Sequence, residues 1–443
     1  MGKNDDKKVC MKTFIESLRC TESHYCRSDS PHRVYLPCDL NIKKLWNVYN
    51  EQAEPDQKVK QCYFRKYFNR KYNVGFGTPQ TDLCSTCLQY KEKIRRCTDP
   101  KEKQSFITNH RVHTLQAKSF FAFLKQNSDE VVNISFDCQK NLPLPKLPDQ
   151  QAYFSMQINF FNFGVVIGSS KSPLTKENVR CYTWTEVERP KSSNEIASAI
   201  HHTLSTYEFK ATNKIIRLFC DGCGGQNKKS IFIGMLCNWF NSNAPPNIEE
   251  IQVFFPVVGH SFMPPDRVFG NIEKVVRRTA EILEPSHYVN MIKDRATVFK
   301  MGVDFQVFDW KTEIKKTLKP TTQWHFKFKP AKRFVLTKNK LGTVLVRGEA
   351  LYRSDLGQAK GICRKGKRIE AVRPKTLQVG LRIKEDKIKS ISNLLKTHYG
   401  DEWKSNEALD YFKNIFDSNV ENNFERQVDA DENEIISDEE INI

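Results

Sequence analysis

Three acidic residues of this 443-residue chain stand where carboxylates can act together. Asp137 ends the run Asn133-Ile-Ser-Phe-Asp137 and Asp221 ends Ile215-Ile-Arg-Leu-Phe-Cys-Asp221. Each is therefore expected at the carboxyl end of a β-strand, projecting from a sheet. Glu273 falls in a helical pattern that puts Phe269, Val276 and Ala280 on its own face, which turns the carboxylate inward. An unpaired charge there is costly, and a divalent cation shared with the two aspartates would relieve it. Hard oxygen ligands suit Mg²⁺ or Mn²⁺. The chemistry of such a centre is in-line phosphodiester hydrolysis or strand transfer. His260, in Gly259-His-Ser-Phe-Met-Pro-Pro-Asp266, is expected to orient substrate or aid proton transfer. Asp266 is the rival for the third acidic position, with a helix cap after Pro264-Pro265 as its bland role. Taken singly, each acid reads more readily as a solvated loop or an ordinary ion pair. The case rests on the three positions jointly.

A second constellation suits a softer metal. Cys84 and Cys87 are spaced C-x₂-C, and His110 and His113 follow on one expected helix, so the four could complete a tetrahedral zinc site of structural role. The His-x₂-His spacing is tighter than in the usual finger. Cys10, Cys20, His24, Cys26, His32 and Cys38 are too irregularly spaced to argue for another ion, and Cys220 with Cys223 reads as packing.

Candidate phosphate contacts lie in three places. After Asp221, Gly222-Cys-Gly-Gly-Gln-Asn-Lys-Lys229 would let backbone amides approach an anion, with Asn227, Lys228 and Lys229 as donors near a helix N-terminus. Arg65, Lys66, Arg70 and Lys71 alternate with Tyr63, Phe64, Tyr67 and Phe68, as in a helix with an aromatic face inside and a cationic face outside. Arg364, Lys365, Lys367 and Arg368 form a basic loop within Lys311–Lys396, which carries 24 Lys and Arg against 6 Asp and Glu.

The elements that must position these groups are legible as periodicity. Residues 1–78 read as a helical module, and 79–128 as the Cys/His region with two helices, the second over Gln104–Gln126. Residues 129–300 give strands at Val131–Phe136, Tyr153–Ile167, Val179–Val187, Ile215–Cys220 and Ile251–Pro256. Helices are expected at Ser193–Tyr207, Ser230–Phe240 and Asp266–Leu283. That order is the one of an RNase H-like α/β fold, a mixed sheet flanked by helices. Residues 301–415 are expected to form a small basic β-containing module and 416–443 an acidic disordered tail, able to fold back on the basic stretch.

The net charge of +18 and a pI near 9.2 point to a polyanionic partner, nucleic acid before an anionic membrane surface. No apolar run is long enough to span a membrane, and the polar start Met1–Asp6 lacks a secretory stretch, so a soluble intracellular protein is expected. Fourteen cysteines in such a chain are expected as thiols or metal ligands.

Cys220-Asp-Gly-Cys-Gly-Gly-Gln-Asn-Lys228 and Gly259-His-Ser-Phe-Met-Pro-Pro-Asp-Arg-Val-Phe-Gly-Asn-Ile-Glu-Lys274 resemble a transposon-derived animal family, domain of unknown function 7869. Glu22-Ser-His-Tyr-Cys-Arg27 and Thr81-Asp-Leu-Cys-Ser-Thr-Cys87 are similar to its amino-terminal motifs, so the likeness covers most of residues 10–415. The resemblance implies a DDE-transposase-like nuclease core, a preceding zinc knuckle, DNA as substrate and a nuclear location. It places the family's acids on Asp137, Asp221 and Glu273. Three readings follow: a metal-dependent transposase or nuclease; a domesticated DNA- or chromatin-binding protein that keeps the fold without catalysis; and an RNA-processing protein on the same fold. A homo-oligomer fits each.

Overall fold

The computed structural model describes residues 3–18, 20–22, 34–37, 39–77, 83–222, 229–378, 380 and 383–421. The chain forms two compact units, Met1–His110 and Arg111–Ile443. The first holds helices α1 (Lys3–Ser17), α2 (Ile42–Gln52), α3 (Gln61–Lys71) and α4 (Ser85–Arg96), and strands β1 (Thr21–Glu22), β2 (Val34–Pro37) and β3 (Val74–Gly77). β2 is central, antiparallel to β1 and parallel to β3. Its core gathers Met11, Ile15, Leu36, Leu45, Tyr49, Phe64 and Phe68. Phe64 and Phe68 are one helical turn apart on α3, so both face inward, while Arg65, Lys66 and Arg70 are exposed. Helix α5 (Pro100–Lys125) runs through the division between the units.

The second unit is built on a nine-stranded mixed sheet. In chain order its elements are β4 (Val131–Cys138), β5 (Leu142–Leu144), α6 (Gln150–Phe154), β6 (Ile158–Ile167), β7 (Val179–Thr185), α7 (Ser193–Thr206), β8 (Ile215–Cys220), α8 (Ser230–Ser242), β9 (Glu250–Phe254), α9 (Pro264–Arg278), α10 (Pro285–Lys293), β10 (Thr297–Lys300), α11 (Trp310–Thr317), β11 (Arg333–Lys338), β12 (Val344–Glu349), α12 (Glu385–Tyr399) and α13 (Asp410–Glu421). The strands lie in the order β10-β7-β6-β4-β8-β9-β11-β12, with β5 paired to β6. β6 is antiparallel to both of its neighbours β4 and β7, whereas β4, β8 and β9 run parallel. The parallel strands are buried on both faces, apolar toward α7 and α8 and partly polar, with Asn133, Ser135, Arg217 and Gln252, on the other.

Alternation along each strand sorts the two faces. Val132, Ile134 and Phe136 of β4 and Ile216, Leu218 and Cys220 of β8 enter one core with α7, α8 and α11. Helix α8 is buried at every position from Ile231 to Phe240, and Gly234 lets it approach α11 where a methyl would meet Ile314. On the opposite face, Ala117, Phe120 and Leu124 of α5 cover Phe219 and Phe254, while Val268, Ile272 and Val276 of α9 cover β6 and β7.

The basic stretch expected as a separate module instead completes this unit. β11 is hydrogen-bonded antiparallel to β9 and carries β12 at the sheet edge, and α12 and α13 join the core that contains α9. Asn227, Lys228, Cys223, His24, Cys26, His32, Cys38 and the tail beyond Glu421 lie outside the described residues. Among the described residues, no helix is long and apolar enough to cross a membrane.

Candidate metal-binding carboxylate site

Register brings the two strand-end aspartates together. β4 and β8 are adjacent and parallel with Phe136 opposite Cys220, so Asp137 and Asp221, each the next residue, are neighbours at the carboxyl ends of the two strands. Both follow residues of the α8 face and so belong to the α9 face. Crevices outside the carboxyl ends of parallel strands are where open α/β sheets bind ligands.

The third acid at this place is Asp266. Pro264 and Pro265 open α9 in the first turn, where a missing N–H costs nothing, and the Asp266 carboxylate accepts the Met263 backbone N–H at 2.7 Å. The cap fixes the side chain at the mouth of the helix. Its charge is felt by Asp137, as is that of Asp221. α9 can come this close because β6 has Gly164 directly opposite Asp137, and a methyl there would stand 2.7 Å from the Phe269 ring.

Electrostatics marks the three as one group. Burial, then the charges of Asp266 and Asp221, pushes the Asp137 carboxyl up to about 7, against relief from the Cys138 N–H and Lys191. Burial also raises Asp221, opposed by the Gly222 N–H. Asp266 is raised by burial and by Asp221, opposed by the Met263 N–H. The three half-buried carboxylates thus share one place, where like charge adds to burial in raising Asp137 and Asp266 while Asp221 is raised by burial alone.

Glu273, expected as the third ligand, is placed elsewhere. It is seven residues beyond Asp266, about 10 Å along the helix axis. Its carboxylate pairs with Lys140 at 3.0 Å and Arg277 at 3.2 Å. Burial works against its charge, but these two cations outweigh it and hold it below the usual carboxylate range. The expected inward tilt is present, since its side chain is 18% exposed, yet the partner is an ion pair.

The Cys/His site also differs by one ligand. Cys84, Cys87, His113 and His260 are a Cys₂His₂ set able to bind a metal such as zinc. Nε2 of His113 is 3.0 Å from Nε2 of His260, with ring centroids 4.9 Å apart. His260 is 4% exposed. Its ring thereby meets His113, whereas it was expected to serve the acids. His110 is not of the four; its ring lies against Tyr90. The fourth ligand comes from the loop before α9, a distant segment that no local spacing could announce. Burial, then Cys84, raises the Cys87 thiol to about 11, an arrangement that metal ligation would reverse.

Of the expected phosphate contacts, Lys229 is the residue before α8, half-buried. Lys365, Lys367 and Arg368 are exposed around a turn at Gly366, whose φ is +74°. Arg364 is committed to the fold, its guanidinium donating to the carbonyls of Leu318 and Lys315 at the end of α11.

Fold and site define a mixed α/β protein with a strand-end carboxylate cluster and a separate Cys₂His₂ cluster. Residues 166–349 match the model of a family described as a domain of unknown function (DUF7869). The matched span contains Asp221, His260 and Asp266, and begins after Asp137. No match was found among curated proteins.

Proposed function

We propose that this chain is a transposase-derived, RNase H-like protein that cleaves or transfers nucleic-acid strands with a divalent cation held by Asp137, Asp221 and Asp266. The observation that carries this reading is the convergence of three half-buried carboxylates of like charge at the ends of two adjacent parallel strands and in the first turn of the helix after β9. The sheet order β7-β6-β4-β8-β9 supports the RNase H-like assignment, because the acids stand on its first and fourth strands and on the helix after the fifth. Mg²⁺ or Mn²⁺ bound there would activate the attacking oxygen and stabilise the leaving one. The protein's own part is to hold the three oxygens in place through the β4/β8 register and the α9 cap. The charge of +18 and the exposed cationic face of α3 favour a polynucleotide substrate, DNA before RNA, in the nucleus.

The test is Mn²⁺ calorimetry and DNA nicking with the full chain. Asp221→Asn and Asp266→Asn should each abolish both signals, while Glu273→Gln should bind as wild type. Loss in Glu273→Gln with retention in Asp266→Asn would restore Glu273 as the ligand. Wild-type binding of Mn²⁺ without nicking would favour a DNA-binding protein that has lost catalysis.

A further inference from the structure

On the same sheet face as the acids, but toward the other end of β8, lies an open cavity of about 670 Å³ whose lining includes Phe123, Lys125, Arg217, Gln252, Arg333 and Arg353. Arg217 precedes Asp221 by four residues, roughly 13 Å along the strand. Between them Phe219 is packed beneath Phe120 of α5 and beside Phe254, so the cavity is separate from the carboxylate site.

The charge around this cavity is not balanced from within. Four cations, Lys125, Arg217, Arg333 and Arg353, line it against one carboxylate, Asp355. Arg217 is 7% exposed, yet its hydrogen bonds go to two neutral amides, Gln252 Oε1 at 3.1 Å and Gln126 Oε1 at 2.7 Å. Arg333 is 4% exposed, and its Nε has no hydrogen-bond partner among the described residues. Among the described residues its one ion pair is with Asp355, which it shares with Arg347. Burial, then the charge of Arg333, lowers the proton affinity of Arg217 against partial relief from Glu250, so the two guanidiniums repel. Buried charges ordinarily carry partners, and two guanidinium forks with fewer anions than cations around them suit planar or tetrahedral oxyanions. The aromatic wall of Phe123, which packs 4.9 Å from Phe254 and under the Arg217 guanidinium, offers an apolar surface beside them. The volume is that of a small-molecule site.

We propose that this cavity binds a phosphate monoester, its oxygens held by Arg217, Arg333 and Arg353 and its organic part against Phe123. The phosphate is that of a free nucleotide or of a strand terminus, and the two sources are separable. Calorimetry with the full chain in EDTA, which silences the carboxylate site, would use AMP in one arm and a 5′-phosphorylated tetranucleotide beside its unphosphorylated form in the other. Binding of AMP identifies the free ligand; binding of the phosphorylated oligonucleotide alone identifies the strand end. In either case Arg353→Ala, an exposed change that leaves the core intact, should weaken affinity roughly tenfold, the loss of one charge-assisted contact. Arg217→Met should weaken it further, with thermal unfolding showing that the variant is folded. Absence of binding in both arms at millimolar ligand, or unchanged affinity in Arg353→Ala and Arg217→Met, overturns the proposal.

Discussion

Asp137 carries the highest electrostatic cost at the carboxylate site, and that cost has a sign that can be measured. In an unfolded chain its carboxyl titrates near 4. In the folded protein, burial and the neighbouring aspartates keep the proton on up to about 7. The folded state thus binds the extra proton across this window, and stability contributed by the group is present below pH 4 and lost as pH rises through 7. Without divalent cation, Asp137→Asn should therefore raise stability at pH 8, by on the order of 1–3 kcal/mol, and flatten the decline between pH 5 and 8. Chemical denaturation across pH reads this directly. A variant less stable than wild type at pH 8 would mean that the carboxylate is stabilised by something other than its proton. The two strand-end aspartates were legible in sequence because a β run ending in an acid is a local pattern. Choosing Asp266 over Glu273 was not, since both lie on one helix and the choice depends on which turn abuts β4.

At the scale of elements, α9 is the part whose seating decides the site, and β6 controls it through one missing side chain. Gly164 lies under Phe269, with space for hydrogen and none for a methyl. Gly164→Ala should push α9 outward, lower stability by about 1–3 kcal/mol as overpacking does, and weaken Mn²⁺ binding although no ligand has changed. Equal metal affinity in the variant would show that α9 does not set the carboxylate geometry. The loop ahead of α9 makes a second commitment through His260. Elemental analysis of purified protein should find zinc in wild type and in His110→Ala, but not in His260→Ala or Cys87→Ser; zinc retained in His260→Ala would return the fourth position to another residue. The strands and helices themselves were readable, for β4, β8, α7 and α8 begin where the apolar period predicts. Residues 153–157 were not, because Tyr153 and Phe154 look like the start of a strand yet sit exposed at the end of the short helix α6.

For the whole molecule, the decisive question is where the sheet ends. Charge composition suggested a boundary at residue 300, since the following stretch is strongly basic. Composition reports what faces solvent, however, and the inward residues of the same stretch are apolar: Phe334, Leu336, Val344 and Val346 enter the core shared with β8 and α8. β11 also supplies the hydrogen-bond partners of β9 through the register from Arg333↔Phe254 to Thr337↔Glu250. A fragment of residues 129–300 would leave β9 as an exposed apolar edge and strip the cover from α8, which is buried from Ile231 to Phe240. Such a fragment should aggregate or unfold without a cooperative transition, whereas a fragment of residues 111–421 should melt cooperatively and keep the Mn²⁺ site. Calorimetric unfolding of the two separates the cases: a cooperative transition in 129–300 at the temperature of the longer fragment would mean that β11 and β12 are an appendage, and that the core is complete without them.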